Sequence, residues 1–193
     1  KTFLSEVRQG MTPINFWSYE FAGHTDQANA EIKNIFGSKI FDTPKPSLLI
    51  RRMIEHSCRE NDIILDFFSG SSTTAHAVIN MNMADGGKRK FIMVQLPEPC
   101  LENSTASQEG YKNICDIAQE RIRRAGKKIK EEAGLQGQHL DIGFRVYKLD
   151  SSNLRVWNPD ADNLELALGS HEKHLLPGRT QDCLLYTSDA ADD

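Results

Sequence analysis

The sequence predicts an α/β fold built on parallel strands, and three observations carry this prediction. An apolar run at residues 63–65 ends in a polar turn, a helical pattern opens at Thr73, and a second apolar run covers Phe91 to Leu96. Short apolar runs bounded by turn residues are typical of buried strands, and the order strand, helix, strand favours a right-handed βαβ unit. The composition, 39% hydrophobic and 26% charged over 193 residues, is that of an ordinary globular chain.

Two helices are predicted before the first strand. The aromatic segment at 15–23 predicts a strand or packed loop with its rings in the core. Thr25 or Asp26 is suited to cap a helix over residues 27–36, and Gly37 closes it because glycine tolerates a left-handed backbone.

Pro44 and Pro46 then fix an extended approach to a helix that Ser47 caps and that runs to about Arg59. Its predicted apolar side consists of Leu48, Ile50, Met53, Ile54 and Cys58.

Further elements follow the first strand. A helix over residues 73–82 is predicted between the two strands, and a long helix runs from Tyr111 to Ala133. Segment 141–149 alternates apolar and polar residues imperfectly, which predicts a further strand. The apolar side of the long helix consists of Ile114, Ile117, Ala118, Ile122, Ala125 and Ile129.

The apolar runs and the cysteines exclude several classes of protein. No run is long enough to cross a bilayer and no basic segment precedes an apolar leader, so we expect a cytoplasmic protein without a membrane partner. The cysteines form no C-x-x-C pair and have no histidine at ligand spacing, which argues against zinc and against a disulfide framework. They are Cys58, Cys100, Cys115 and Cys183.

Charge is segregated along the chain although the net charge is only −4. Six of the ten residues from Arg121 to Lys130 are basic, so the long helix could present a basic face to DNA, with Arg121, Arg124 and Lys128 as contacts. The alternative is an ordinary solvated helix face.

The polar turn ILDFFSGSSTTAHAV predicts a ligand pocket at the strand tips. It lacks the lysine of a phosphate loop and the three spaced glycines of a dinucleotide motif. Asp66 ends the first strand, Gly70 permits close approach of the backbone, and Glu98 beyond the second strand suits two ribose hydroxyls. An adenosine with an amino-acid tail fits this set, and a plain structural turn remains the alternative. Further polar groups are offered by Ser71, Thr73, Thr74 and Gln95.

Two motifs give the sequence a family resemblance. DFFSGSSTT resembles the D-x-F-x-G-S-G-T-T motif that binds S-adenosylmethionine in amino-methylating DNA methyltransferases, and FDTPKPSLLIRRMI resembles the F-x-T-x-K-P-x-x-L motif that precedes it in that family. Together with KRKFIMVQLPEP and LDIGFRVYKLDSSN, the stretch from Phe16 to Trp157 is similar to the C-terminal part of beta-class modification subunits of bacterial type III restriction-modification systems.

The resemblance implies a Rossmann-like fold dependent on S-adenosylmethionine, here in partial form with the N-terminal catalytic half absent. It implies adenine-N6 methylation of duplex DNA without a metal, and partnership with a restriction subunit and a second modification subunit. A cytosine-N4 enzyme and a non-catalytic assembly region are the alternatives. The cofactor-binding residues that it implies are Phe41, Thr43, Lys45, Pro46, Asp66, Phe67, Phe68, Gly70, Ser71, Thr73, Gln95 and Glu98.

One departure from the family motif concerns the backbone. Ser72 stands where the family has glycine. If that position needs a positive φ, serine costs about 1 kcal/mol or more, which would weaken cofactor binding.

The family's catalytic [DNS]-P-P-[YFW] motif, whose aromatic ring stacks on the extruded base, does not occur in the chain. The nearest string, Asn158-Pro159-Asp160, lacks the second proline and the aromatic residue. We therefore expect a fragment that is inactive alone. Its expected parts are 1–38 as the end of an upstream region, 39–150 as the cofactor-binding core, 151–181 as an extension, and 182–193, which resembles a translated sequencing adapter rather than a genuine acidic terminus.

Overall fold

A computed structural model describes residues 15–149. Its contacts divide the chain between Gly143 and Phe144, so residues 15–143 lie in one compact unit and residues 144–149 in another. The predicted extension at 151–181, the adapter-like segment at 182–193 and Cys183 lie outside the described residues.

The described residues contain six α-helices, one 3-10 helix and two strands. In chain order they are α1 (Tyr19–Ala22), α2 (Thr25–Phe36), α3 (Ser47–Ser57), β1 (Ile63–Asp66), α4 (Thr73–Asp85), β2 (Lys90–Met93), α5 (Thr105–Gln108), α6 (Ile114–Glu132) and the 3-10 helix Gly134–His139.

The two strands are parallel, as the sequence predicts. Ile63 of β1 pairs with Lys90 of β2, and Asp66 pairs with Met93. Because α4 connects them, the predicted strand, helix, strand unit is confirmed. β2 ends at Met93, before the predicted Leu96. Beyond it, the N–H of Val94 still donates to the carbonyl of Asp66 at 2.8 Å.

One face of this sheet is covered and the other is exposed. Ile64 and Phe91 pack against a buried cluster that joins α3 to α4, formed by Ile54, Ala77, Val78 and Met81. Side chains alternate across a strand, so the intervening residues point to the opposite face. These are exposed, and the prediction of fully buried strands is wrong for Ile63, Leu65, Ile92 and Val94.

A second cluster packs α2, α5 and α6 together. Arg124 also lies over the ring of Phe36, 5.1 Å from its centroid. The buried members of the cluster are Ile32, Phe36, Ile40, Ala106 and Ile117.

The start of α3 differs from the prediction in a way that matters for the site. Pro46 is the cap residue and Ser47 is the first helical residue. The backbone N–H and hydroxyl of Ser47 donate to the carboxylate of Glu31 on α2, at 3.1 and 2.9 Å. A side chain from a neighbouring helix therefore satisfies the helix N-terminus. Ile54 is buried as predicted, whereas Met53 is exposed.

Other helix ends follow simple capping rules. His24, not Thr25 or Asp26, is the cap residue of α2, and it makes no side-chain bond there. Gly37 ends α2 with a left-handed backbone, as predicted. α6 starts later than predicted, because the side chain of Asn113 caps it.

The aromatic segment before α2 does not form a strand. It contains α1, and the predicted burial of its rings is wrong for Phe16, Tyr19 and Phe21, which are exposed. Trp17 instead packs edge-on against Phe21, with 5.7 Å between ring centroids, and against His56 at 5.4 Å.

Segment 141–149 does not form the predicted strand either. The N–H of Gly143 donates to the side chain of Asp141 at 2.9 Å, a local bond that competes with strand pairing. Ile142 lies over Gly126, where an added Cβ would approach to 3.1 Å. Among residues 15–149 no helix combines the length and the hydrophobicity that a bilayer span requires.

Candidate functional site

The turn after β1 is organised by the carboxylate of Asp66. One oxygen accepts the backbone N–H of Phe68 at 3.2 Å, and the other accepts the hydroxyl of Thr74 at 2.6 Å. The same side chain therefore shapes the turn and fixes it to the first turn of α4. Each carboxylate oxygen has a second lone pair, so Asp66 can still accept a bond from a ligand.

The turn is also fixed to the tip of β2. The N–H of Ser69 donates to the carbonyl of Val94 at 3.1 Å, and the N–H of Gly70 donates to the side-chain oxygen of Gln95 at 2.8 Å. Gln95 was predicted to bind a cofactor directly. In the structure its amide oxygen holds the backbone of the turn instead.

The two motif-bearing segments meet at Gly70. This residue has a φ of 51°, and a Cβ added to it would lie 3.6 Å from the ring of Phe41. Phe41 in turn packs against the cluster that includes Ile32 and Ile117. The core therefore sets the distance between the segment of residues 41–46 and the turn of residues 66–74.

Ser72 has the positive φ that the family's glycine suggests. Its φ is 57° and its ψ is 43°, it is 2% exposed, and among residues 15–149 it is the one residue other than glycine with a positive φ. A left-handed backbone costs an L-residue roughly 1–2 kcal/mol, so the turn is strained at this position. The side chain of Ser72 makes no cap bond to α4.

A buried arginine from α6 occupies the inner side of the turn. Nη1 of Arg121 donates to the hydroxyls of Ser71 at 2.8 Å and of Thr73 at 2.7 Å. Ser71 and Thr73 were predicted to offer their hydroxyls to a cofactor, but both are buried against this guanidinium. Arg121 is 0% exposed, so the prediction that it contacts DNA is wrong.

Helical periodicity contained the signal for that burial. Arg121 lies four residues after Ile117 and four before Ala125, both of which are buried. It belongs to the apolar side of α6 and not to its basic side. No signal in the sequence indicated that Glu31, whose carboxylate lies 3.6 Å from Nη2 of Arg121, reaches the same network.

His76 is the next titratable group along α4. Its Nδ1 lies 3.4 Å from Nη2 of Arg121. Burial, followed by the positive charges of Arg121 and Lys128, lowers the pKa of His76 to about 3. The imidazole is therefore neutral near pH 7, when Nδ1 can accept from the guanidinium. Burial also lowers the pKa of Arg121 to about 10, which leaves it charged at that pH.

The outer side of the site is more exposed. The rings of Phe67 and Phe68 lie 5.3 Å apart between centroids, and Phe68 is 80% exposed. Thr43, Lys45 and Glu98 are exposed as well, while Pro44 and Pro46 are buried. Phe67, Phe68 and Glu98 thus face solvent, whereas the assigned hydroxyls of the turn, on Ser71 and Thr73, face the interior.

Arg124 and Lys128, the other two residues of α6 that the sequence assigns to DNA, are paired with carboxylates of the same helix. Nε of Arg124 lies 2.6 Å from Glu120, and Nζ of Lys128 lies 3.9 Å from Glu132. Both basic side chains are partly exposed. Such i, i+4 pairs are typical of a solvated helix face.

A surface cleft of about 400 Å³ lies among α2, α3 and α4. It does not include the strand tips, and none of the residues that the sequence assigns to a cofactor lines it. Its lining residues are Gln27, Glu31, Ser47, Leu48, Arg51, Ala77, Asn80, Met83 and Ala84. Within residues 15–149 no group of three or more His, Cys, Asp or Glu could hold a metal ion.

Comparison with known proteins gives a family match and several similar relatives. A family model described as DNA methylase matches residues 5–120. The chain is 34% identical over 161 residues to the type III restriction-modification enzyme StyLTI Mod subunit of Salmonella typhimurium, covering 83% of this chain and 24% of the relative. It is 33% identical over 179 residues to the EcoPI Mod subunit of Escherichia phage P1, covering 91% of this chain and 26% of the relative.

A relative of another type is also similar. The type II methyltransferase M.KpnI of Klebsiella pneumoniae is 42% identical over 99 residues, covering 51% of this chain and 24% of the relative. The chain spans about a quarter of the length of these relatives.

Proposed function

The chain belongs to the DNA methylase family, and on that premise we propose that it forms the methyl-donor-binding part of an adenine-N6 DNA methyltransferase of a type III restriction-modification system. The observation that supports this most directly is the meeting of two motif-bearing segments at Phe41 and Gly70, beside the carboxylate of Asp66. Similarity to relatives named as Mod subunits supports the type III assignment.

We propose S-adenosylmethionine as the donor. It would supply an electrophilic methyl group on a sulfonium centre. The residues fit such a ligand because two exposed rings, Phe67 and Phe68, directly follow Asp66, whose carboxylate retains free lone pairs. Asp66 can accept from an ammonium group, and Glu98 suits ribose hydroxyls. Because of the motif resemblance, we propose that Thr43, Lys45 and Pro46 lie beside the methionine end.

The contacts separate the proposed site residues into two groups, those that border the ligand and those that hold the turn in place. Phe41, Asp66, Phe67, Phe68, Gly70 and Glu98 border the ligand. The second group supports the turn without touching the ligand. Gln95 accepts the N–H of Gly70, and the hydroxyls of Ser71 and Thr73 accept from Arg121.

We propose that the intact protein supplies what this chain lacks. The chain contains no [DNS]-P-P-[YFW] motif, and the face of the sheet that carries Ile63 and Leu65 is exposed, although parallel strands are normally covered on both faces. A larger Rossmann-like domain would cover that face and carry the catalytic motif. Duplex DNA, a restriction subunit and a second modification subunit are the proposed partners of that intact protein.

Two alternatives differ in testable ways. A cytosine-N4 methyltransferase would share the donor site and differ only in the catalytic motif, so it predicts the same binding by this chain. An assembly region without catalysis predicts no specific donor binding. Calorimetry with S-adenosylmethionine therefore separates the second alternative from both enzyme assignments.

The test uses Asp66→Ala with Asp141→Ala as its matched control. Both aspartates accept the N–H of the residue two positions later, at 3.2 Å from Phe68 and at 2.9 Å from Gly143. We expect binding by the unaltered chain, unchanged binding in Asp141→Ala, and binding weakened at least about tenfold in Asp66→Ala, because the turn loses its organising carboxylate. Equal binding in all three chains, or none in any, would contradict the proposed site.

We also propose that Arg124 and Lys128 contribute weak DNA binding. Release of counterions from two phosphates predicts that affinity falls roughly tenfold when salt rises about fourfold. Fluorescence anisotropy with a labelled duplex measures this, and an affinity that does not change with salt would contradict the proposed contact.

A further inference from the structure

Glu31 and Arg121 form a polar connection through the protein interior, which we call the Glu31–Arg121 bridge. Nη2 of Arg121 lies 3.6 Å from the carboxylate of Glu31. Glu31 comes from α2 and Arg121 from α6, so neither residue belongs to a motif-bearing segment. Each one nevertheless binds such a segment through its other polar atoms.

On the α2 side, the bridge is bonded to the start of α3. The carboxylate of Glu31 accepts both the N–H and the hydroxyl of Ser47, which follows Pro46 directly. Because Ser47 is the first residue of α3, these bonds fix where the segment of residues 41–46 turns into the helix.

On the α6 side, the bridge is bonded to the turn after β1. Nη1 of Arg121 donates to the hydroxyls of Ser71 and Thr73, which flank the strained Ser72. Both hydroxyls are drawn inward by these bonds. A single chain of polar contacts thus runs from the start of α3 to the start of α4.

Stability alone gives a poor reason for this arrangement. Arg121 is fully buried, its Nε has no hydrogen-bond partner, and the contact with Glu31 is longer than a good charged hydrogen bond. Replacement of buried ion pairs by apolar side chains of similar volume is often neutral or stabilising. A role in fixing the geometry of the turn therefore explains the charge better than a role in holding the fold together.

We propose that Glu31 and Arg121 are positioning residues that couple the two segments of the donor site, so that a change at the start of α3 alters the turn after β1. This proposal rests on the proposed function, because it identifies the two segments as parts of one donor site. Neither residue is proposed to touch the donor.

The first test measures hydrogen exchange in the 193-residue chain without ligand, and thus does not depend on donor binding. Glu31→Gln removes the charge at the bridge but keeps an oxygen that can accept from Ser47. Glu31 makes no hydrogen bond to residues 67–74 in the structure. We nevertheless expect exchange in that turn to accelerate on the order of tenfold, because Arg121 loses its counter-charge and holds the hydroxyls less firmly.

Glu120→Gln is the matched control on the surface of α6, where Glu120 pairs with Arg124. It should leave exchange in residues 67–74 unchanged. If Glu31→Gln alters exchange only near Ser47, or equally throughout the chain, the coupling is refuted and the bridge is merely structural.

The second test uses Arg121→Met together with donor calorimetry. Methionine fills much of the same volume but leaves the hydroxyls of Ser71 and Thr73 and the carboxylate of Glu31 without their donor, so the chain as a whole loses stability. Beyond that global change, we expect exchange to accelerate more in residues 67–74 than in the rest of the chain and donor affinity to fall roughly tenfold. If the unaltered chain binds no donor, the proposed function fails, whereas the ligand-free exchange result still decides the coupling. Unchanged exchange in the turn for both Arg121→Met and Glu31→Gln would overturn the inference.

Discussion

The turn after β1 and the exposed face of the sheet reverse the usual distribution of side chains. In the turn, five hydroxyl residues, Ser69 and 71–74, are buried. On the exposed face of the sheet, in the strand that leads into this turn, Ile63 and Leu65 are 61% and 57% exposed. Buried polar groups and exposed large apolar groups are the two distributions that call for explanation, and here they are adjacent.

The two regions differ in what completes them. Three hydroxyls of the turn, on Ser71, Thr73 and Thr74, bond to partners in this chain, Arg121 or Asp66. The apolar residues of the sheet face find none among residues 15–149, since they remain exposed. Contacts within this chain therefore support the inner side of the proposed donor site, whereas the apolar residues of the sheet face stay exposed among the described residues.

The largest expected effect comes from breaking the buried network. Arg121→Ala should lower the free energy of unfolding by about 3–5 kcal/mol, because it leaves two buried hydroxyls and a carboxylate without their donor and opens a cavity. Chemical denaturation followed by circular dichroism measures this. Arg124→Ala, on the exposed side of α6, should cost about 1 kcal/mol or less; equal losses would show that Arg121 has no special place in the structure.

The second effect contrasts a buried apolar residue of α4 with an exposed apolar residue of the sheet. Ile79 is 2% exposed on α4, and Ile79→Ala should cost about 2–4 kcal/mol of unfolding free energy. Leu65→Ala on the exposed sheet face should change it by about 0.5 kcal/mol or less. A large loss in Leu65→Ala would mean that this face is covered in the chain by itself.

The third effect concerns pH. The pKa of His76 is about 3 in the folded chain and 6.5 without the fold, so between these values only the unfolded chain takes up the proton. Stability should therefore fall as pH drops from 6.5 toward 3, by at most about 1.4 kcal/mol per pH unit from this group. His76→Asn should have a shallower dependence in denaturation series across that range, and identical slopes would show that His76 is not buried in its neutral form.

The smallest effect tests the strain at Ser72. Ser72→Gly should raise the melting temperature, with a gain of about 1 kcal/mol in unfolding free energy, because glycine adopts the left-handed backbone without penalty. The gain is limited by the greater freedom of glycine in the unfolded chain. Ser69→Gly, at a neighbouring residue without a positive φ, should give no gain. A loss of stability in Ser72→Gly would mean that the serine side chain contributes more than the strain removes.

The sequence predicted the parallel strands and the turn between β1 and α4 because these depend on local apolar runs and turn residues. It failed where neighbours in space decide the outcome. Glu31 serves the start of α3 from another helix, and segment 141–149 forms a local bond at Asp141 instead of a strand. The spacing of Arg121 from Ile117 and Ala125 indicates burial. The basic residues around Arg121 instead favoured the prediction that it is exposed and contacts DNA.

The most direct test of the donor site is a titration of the ¹⁵N-labelled chain with S-adenosylmethionine, followed by amide chemical shifts. We expect saturable shifts concentrated in residues 66–74 and at Phe41, with none in the cleft lined by Gln27 and Asn80. Shifts confined to that cleft, or no saturable shifts at all, would contradict the assignment of the donor to the tip of β1.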